Sequence, residues 1–397
     1  MPTPHQDPIV IVGAARTPMG AFQGDFSDLA AHDLGGAAIK AAVARAGVAP
    51  EKVDEVLFGN CLMAGQGQAP ARQAAFKGGL PKEAGAVTLS KMCGSGMKAA
   101  MFAHDMLLAG THDVMVAGGM ESMTNAPYLL QKGRGGYRLG HDRIFDHMML
   151  DGLEDAYEPG RSMGTFGEDC AAKYGFTRAE QDAFATASVE RAKAATASGA
   201  FAAEITPVTV KSRAGETVVS VDEGPGKVKL DKIASLKPAF KKDGTITAAS
   251  SSSINDGAAA LVMMRASTAT KLGCKPLARI VGHATHAQEP EWFATAPLGA
   301  TQKALAKAGW AVGDVDLWEI NEAFAVVPMA LMKELNLPHD KVNVNGGACA
   351  LGHPIGASGA RIMVTLIYAL QARGLKKGLA TLCIGGGEAT AVAVELV

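Results

Sequence analysis

The sequence predicts an α/β protein of two duplicated halves, each of layered sheets and helices, with a loop domain inserted into the first half. Three observations carry this reading. Apolar strand-like runs alternate with amphipathic helical stretches, segments of the first third recur near the C-terminus, and one long central segment has no counterpart.

The clearest repeat pairs AAVARAGVAPEKVDEVLFGN (residues 41–60) with KALAKAGWAVGDVDLWEINE (residues 303–322), an offset of 303 − 41 = 262. Each reads as a helix closed by Ala-Gly, a short turn and an apolar strand. The opening strand IVIVGAA (residues 9–15) matches LARIVGH (residues 277–283). HDVMVAGGMES (residues 112–122) resembles LATLCIGGGEA (residues 379–389), both β-type runs meeting a glycine turn. GAAALVMM (residues 257–264) parallels EATAVAVE (residues 388–395), so the last strand of the first half is displaced. The predicted division is residues 1–121 with 254–275, an insert over 122–253, and a second half over 276–397. The insert is richer in charge and in Gly/Pro turns, with a helix around Arg178–Thr196 and a basic stretch from Lys211 to Lys242. Alternating strands and helices predict largely parallel sheets covered on both faces. The halves should lie side by side, with strand-end loops from both around one site.

Composition narrows the function classes. The 397 residues are 48% hydrophobic with a formal net charge of −1. No broad basic field is available for nucleic acid or an anionic membrane. No apolar run reaches the roughly 20 residues of a membrane span, and Met1–Pro8 is polar, without a signal-peptide core. A cytoplasmic protein is expected. Six cysteines are scattered without a disulfide framework or a CxxC pair. Cys61, Cys170, Cys274 and Cys349 are expected to pack as small hydrophobes, and no metal site is expected.

Four motifs hold residue types that suit catalysis. Cys93 lies in VTLSKMCGSGMKAAMFAHDMLLAG, where a strand-like run stops and a helix follows Gly-Ser-Gly. A cysteine near a helix N-terminus gains thiolate character from the dipole and free N–H groups. A buried structural cysteine before a glycine turn accounts for this segment equally well. His353, in NVNGGACALGHPIGASGA, sits on a glycine-rich loop before another helix, where a neutral imidazole can accept a thiol proton. A hydrogen-bonded structural histidine is the alternative. Cys383 ends an apolar strand before Gly385–Gly387, whose backbone N–H groups suit an oxyanion hole; a buried strand cysteine is the competing reading. Asn321, in WEINEAFAVVPMAL, ends the repeated strand and can orient a water or donate to an oxyanion.

Taken together, MCGSG, NEAF, GHPIGASGA and CIGGGEA resemble the thiolase family in order and spacing, over nearly the whole chain. The resemblance implies a thiolase-like fold and acyl transfer between coenzyme A thioesters, with acetyl-CoA the expected donor. It implies that Cys93 carries the acyl group with His353 as its base. Cys383 would take the α-proton of a second acetyl-CoA. Asn321 would hold a water near the enolate, and the N–H groups of Cys93 and Gly385 would hold the tetrahedral oxyanion. It further implies that Leu153, Met163, Phe240, Ala248 and Ser252 contact CoA, and that Ala323 and Phe324 wall the acyl pocket. Acyl-CoA and CoA are then partners as substrate and product, no cofactor is required, and a homodimer or homotetramer is expected. The chain departs from the family pattern with SMG at Ser162–Gly164 for His-Met-Gly and AASSSS at Ala248–Ser253 for Ala-Gly-Asn-Ala-Ser-Gly. DEGPGKVK from Asp222 lacks the usual Arg, leaving Lys227 or Lys229 to serve. A decarboxylating condensing enzyme, a broader-chain 3-ketoacyl-CoA thiolase and a non-catalytic CoA- or lipid-binding relative are the rival readings.

Overall fold

The computed structural model describes residues 7–212 and 215–397. Most of the N-terminal polar segment, and residues 213–214 of the basic stretch, lie outside the described residues.

Nine principal strands build the protein: β1 (Ile9–Arg16), β2 (Glu55–Gly59), β3 (Gly85–Leu89), β4 (Val114–Ser122), β5 (Asn255–Arg265), β6 (Ala278–Ala287), β7 (Leu317–Ile320), β8 (Lys377–Ile384) and β9 (Glu388–Leu396). Their spatial order is β7-β8-β9-β6-β1-β5-β4-β2-β3, and Gly20–Ala21 adds a short strand beside β5. Reading outward from the junction gives β1-β5-β4-β2-β3 and β6-β9-β8-β7, the same order twice. An isolated parallel bridge between Trp318 and Val342 stands where the second half would have its fifth strand. Among the described residues, the sheet strands of the two halves are joined by two rungs, Val10 to Arg279 and Ile11 to Ala278.

Four helices of the two halves cover the sheet and position the site: α1 (Ala31–Ala46), α2 (Ser95–Ala109), α3 (Ala296–Ala308) and α4 (Ile355–Arg373). Strand alternation explains the layering. Val10 and Val12 face an outer core that includes Ala38 and Ala42 of α1. Ile9 and Ile11 face a central core with Met97 and Ala100 of α2 and Ile362 and Met363 of α4. The second half has its own outer core, where Ala300 and Ala304 of α3 pack against Trp318 and Leu379. Among the described residues, α4 alone is long and apolar enough to cross a membrane, but it is mostly buried as this central core helix.

The duplication extends to atomic packing. β1 and β6 each carry an irregularity, between Ile11 and Gly13 and between Ile280 and Gly282. A Cβ on Gly13 would run into the Ala42 carbonyl and Ala46, and one on Gly282 would lie 3.0 Å from the Ala304 carbonyl and from the Ala308 nitrogen. Each irregularity thus carries a bare glycine that lets the outer helix close onto its strand.

Register corrects the repeat in two places. The matching glycines give 282 − 13 = 269 for the opening strand, not 268. In the parallel ladders Glu55 faces Met115 and Leu317 faces Gly378. β4 and β8 therefore correspond at 378 − 115 = 263, whereas the sequence match, drawn by glycine composition, gave 267. Cys383 then corresponds to Met120 and Ile384 to Glu121. The long segment between β4 and β5 stands where the second half has only the turn Gly385–Gly387.

The expectation of largely parallel sheets is also corrected. Only β2–β3, β2–β4 and β7–β8 run parallel, and the remaining principal pairings are antiparallel. A three-residue turn cannot make the crossover that parallel β8 and β9 would need, so the hairpin forces the antiparallel sense. Within the insert the helix Arg178–Ser198 begins where Thr177 and Glu180 cap each other reciprocally.

Candidate active site

Two bends, one at the start of each central helix, place the candidate nucleophile and base. Cys93 and His353 each precede the first residue of a helix by two positions, Ser95 of α2 and Ile355 of α4. Small residues bring the helix starts together. A Cβ on Gly96 would lie 2.8 Å from the Ala360 nitrogen and 3.0 Å from the Gly356 carbonyl, and one on Gly359 would lie 2.5 Å from the Met97 nitrogen. No larger side chain fits this crossing. Before the nucleophile, Met92 adopts φ +44°, a left-handed conformation costly for a residue with a side chain. That bend presents Cys93 to a cavity.

The cavity is apolar and shared by Cys93, His353 and Gly385. Leu153 and Met163 of the insert line it, as do Ser252, Ala323 and Phe324. Met92, Gly152, Phe293 and Ile355 complete this wall and were not singled out as site residues from the sequence. The Ser252 N–H donates to the Ala323 carbonyl at 2.9 Å and the Ala325 N–H to the Ser250 carbonyl at 2.8 Å, so the end of the insert is zipped onto the NEAF loop. Phe240 stands one layer back, edge-on to Phe324 at 5.6 Å between ring centroids. Ala248 is exposed, outside the cavity wall. Lys227 is ion-paired with Glu223 on the surface.

Burial sets the protonation states. The Cys93 thiol is pushed up to about 11, first by burial, while N–H groups of Gly385 and of Cys93 itself pull it back. The sequence-level expectation of a thiolate at the helix start is therefore corrected: desolvation outweighs the dipole, and Cys93 rests as a thiol. His353 is held down to about 3 by burial and by the Arg361 charge, so its imidazole is neutral. Its Nδ1 lies 2.5 Å from Ser358 Oγ, which in turn donates to the Pro354 carbonyl at 2.9 Å. With that hydroxyl proton committed, Nδ1–H donates to Ser358 and Nε2 carries the lone pair. Nε2 is buried and has no partner among the described residues, the condition of a free base. Ser358 was not found from the sequence, although a hydroxyl in the first turn after a loop histidine is the readable signal.

Asn321 is fully buried, with Nδ2 3.5 Å from His353 Nδ1 and Oδ1 unpartnered. Cys383 is also fully buried, behind the wall, in one apolar cluster with Phe166, Cys170, Ala323 and Phe324. Its thiol is pushed well up by burial, with neighbouring Cys93 adding to the rise.

A buried carboxylate that sequence reasoning passed over organises the His353 side. Glu121, at the end of β4, accepts from the N–H groups of Cys61 at 2.9 Å, Leu62 at 3.1 Å and Gly356 at 2.8 Å, and from Asn60 Nδ2 at 2.6 Å. It ties the loop after β2 to the N-terminus of α4. A charged residue ending an otherwise apolar strand was its only signal. All six cysteines are free; Cys61, Cys170, Cys274 and Cys349 are buried, as expected of small hydrophobes.

Comparison with known proteins gives this geometry its setting. The family described as "Thiolase, N-terminal domain" matches residues 9–267, and "Thiolase, C-terminal domain" matches residues 274–396. The chain is 51% identical over 389 residues to an acetyl-CoA acetyltransferase of Chromobacterium violaceum, covering 98% of this chain and 99% of that protein. It is 51% identical over 391 residues to acetyl-CoA acetyltransferase 2 of Arabidopsis thaliana, covering 98% and 97%. The crystal structure of the Bacillus anthracis acetyl-CoA acetyltransferase superposes with a TM-score of 0.96 at 43% identity, covering 98% of this chain and 99% of that one. With duplicated halves, a cysteine and a histidine at paired helix starts, and family matches over almost its whole length, this chain belongs to the thiolase family and has the thiolase fold.

Proposed function

We propose that the protein is an acetyl-CoA C-acetyltransferase, joining two acetyl-CoA molecules into acetoacetyl-CoA and CoA, and running the reverse thiolysis. The observation that carries the reading is the cavity in which a Cys93 thiol, a neutral His353 with a free Nε2 and the Gly385 N–H meet. The names of the full-length relatives support the same acyl group.

Cys93 sulfur attacks the acetyl carbonyl as its proton passes to His353 Nε2, and the proton then leaves with the departing CoA sulfur. Cys383, once its thiol proton has passed to the free His353 imidazole, removes the α-proton of a second acetyl-CoA; the carbanion attacks the acyl-Cys93 carbonyl, and the expelled Cys93 sulfur takes back the proton held on His353. The N–H groups of Cys93 and Gly385 suit the tetrahedral oxyanion, each contributing about 3 kcal/mol. Asn321, through a water, and His353 suit the enolate oxygen. CoA enters as substrate and leaves as product, and no step draws on a cofactor or metal.

The cavity, about 60 Å³, has room for about four to six water-sized groups on the measure of 10–15 Å³ each. That matches an acetoacetyl group better than a long chain. We assign residues 122–253 to gripping the CoA body, and place the enzyme in the cytoplasm as a homodimer or homotetramer, as the family pattern suggests. Exposed Tyr128, Leu130, Leu139 and Ile144, crowded into one loop, support an assembled form.

A panel of 3-ketoacyl-CoA substrates of increasing chain length tests the assignment. Acetoacetyl-CoA should give the highest kcat/KM; a maximum at six or more carbons would move the protein to the broader-chain thiolases. Ser252→Leu should raise KM for acyl-CoA about tenfold with kcat little changed.

A further inference from the structure

The second half meets α2 at a point remote from the cavity, where three potential metal ligands converge. His104 and Asp105 lie near the C-terminal end of α2, and His283 lies on β6. His104 is nine residues beyond Ser95, so about 14 Å along the helix from the active-site end at 1.5 Å per residue. His283 Nε2 is 3.1 Å from His104 Nδ1 and 2.9 Å from Asp105 Oδ1, and His104 Nδ1 is 3.0 Å from that oxygen. The imidazole rings stand nearly perpendicular, at 85°, with centroids 4.8 Å apart.

This triangle has the dimensions of a coordination face. With metal–nitrogen and metal–oxygen bonds of about 2.0–2.2 Å, neighbouring ligand atoms fall about 2.9 Å apart at right angles and about 3.4 Å apart in a tetrahedron. The three separations lie in and just above the lower end of that interval. Two imidazole nitrogens and one carboxylate oxygen are a donor set for zinc and for neighbouring first-row divalent ions.

His283 has no competing polar attachment: its Nδ1 is buried and unpartnered among the described residues, so the ring's hydrogen-bond contacts all run through Nε2. Asp105 is exposed and His104 half-buried, which leaves a side of the cluster open to an ion and its water. His104 also borders a surface groove with Leu108, Lys307 and Trp310. Two cations oppose the charge of a metal: Lys307 acts on His283, and Lys98 interacts with Asp105. One carboxylate and two opposing lysines favour moderate over very tight affinity.

We propose that His104, Asp105 and His283 form a surface binding site for a divalent transition ion of the zinc type, which clips α2 of the first half to β6 of the second. Neither the acyl transfer nor the CoA contacts use these residues. The site therefore stands or falls independently of the proposed reaction.

The test uses the full-length protein with Cys93 alkylated by iodoacetamide, so that the reactive thiol cannot bind the probe. Co²⁺ titration followed by visible absorption should show one equivalent bound with a dissociation constant below about 100 µM, and Zn²⁺ should displace it. His104→Gln, Asp105→Asn and His283→Gln should each weaken binding at least tenfold while leaving the circular dichroism spectrum unchanged. Unalkylated versions should keep the acyl-transfer activity of the parent. Absence of Co²⁺ binding at 100 µM, or equal binding by the parent and all three variants, would overturn the site and leave a His–Asp–His hydrogen-bond cluster. If His283→Gln fails to fold, the two α2 variants decide alone.

Discussion

Cys93 and His353 hold the same place in the two halves, yet their surroundings differ in kind. Each stands two residues before a central helix, and each of those helices starts against the end of a strand from the opposite half. At the His353 helix that strand end is Glu121, whose carboxylate accepts the Gly356 N–H and three other donors. At the Cys93 helix the equivalent residue is Ile384, whose Cδ1 fills the space a Cβ on Gly94 would need. Across the junction between the halves, one helix start is held by hydrogen bonds to a buried acidic side chain and the other by apolar packing, its Ser95 hydroxyl bonding, among the described residues, only to Lys91, Met92 and Cys61 of its own half. The base side is polar and tightly oriented. The Cys93 side is apolar, and burial there keeps the thiol protonated. Duplication accounts for the two matching bends, and divergence at matched positions gives them the different surroundings that the proposed reaction uses for a base at His353 and a nucleophile at Cys93.

The largest effects should come from the chemistry placed at and beside these bends. His353→Ala should lower kcat for condensation and thiolysis by about two to four orders of magnitude, the range for loss of a general base. Cys383→Ala should cause a loss of similar size in both, while isotope exchange of acetyl between CoA molecules through Cys93 persists. Equal loss of exchange and condensation would mean that Cys383 is not confined to the carbon–carbon step.

Next comes the polar–apolar contrast itself. Glu121→Leu makes the first strand end resemble the second and leaves four donors without their acceptor. A loss of about 3 kcal/mol or more is expected in denaturant unfolding, since each buried orphaned donor costs about 1–3 kcal/mol before relaxation. The matched trim Ile384→Val should cost only about 0.5–1.5 kcal/mol. Comparable losses would erase the distinction drawn between the two helix starts.

Smaller changes sharpen it. Ser358→Ala removes the acceptor that fixes the His353 tautomer, and kcat should fall about tenfold with little change in KM. A change in KM alone would show that Ser358 acts on binding. The dry setting of Cys93 has a pH signature as well. A thiol raised to about 11 is mostly protonated below that pH, so the thiolate fraction grows as pH rises. Iodoacetamide alkylation of the free enzyme should accelerate about tenfold per pH unit from pH 7 to pH 10. A plateau below pH 8 would reveal a resting thiolate.

The repeat was legible because an outer helix closing onto a strand demands small residues, and Gly13 and Gly282 meet that demand in the same way. Cys93, His353, Cys383 and Asn321 were legible because each sits at a strand end or loop beside glycine or in a repeated motif. The sense of the sheets was not, because strand periodicity carries no direction and the deciding feature was the short turn Gly385–Gly387. The β4–β8 register failed because glycine runs look alike, whereas hydrogen-bond ladders are specific to one residue. Glu121 and Ser358 act through partners more than 200 residues away or through a rotamer, neither of which spacing can show. The convergence of His104, Asp105 and His283 joins residues 178 apart in the chain, beyond any ligand-spacing motif.

The central claim is that the two bends form one acyl-transfer centre with Cys93 as its covalent carrier. Incubation with isotopically labelled acetyl-CoA, rapid acid quench and peptide mass spectrometry reads that directly. The label should reside on the peptide containing Cys93, vanish in Cys93→Ser, and form at least a hundredfold more slowly in His353→Ala. Label on Cys383 or Cys61, or labelling at the parental level in Cys93→Ser, would contradict it.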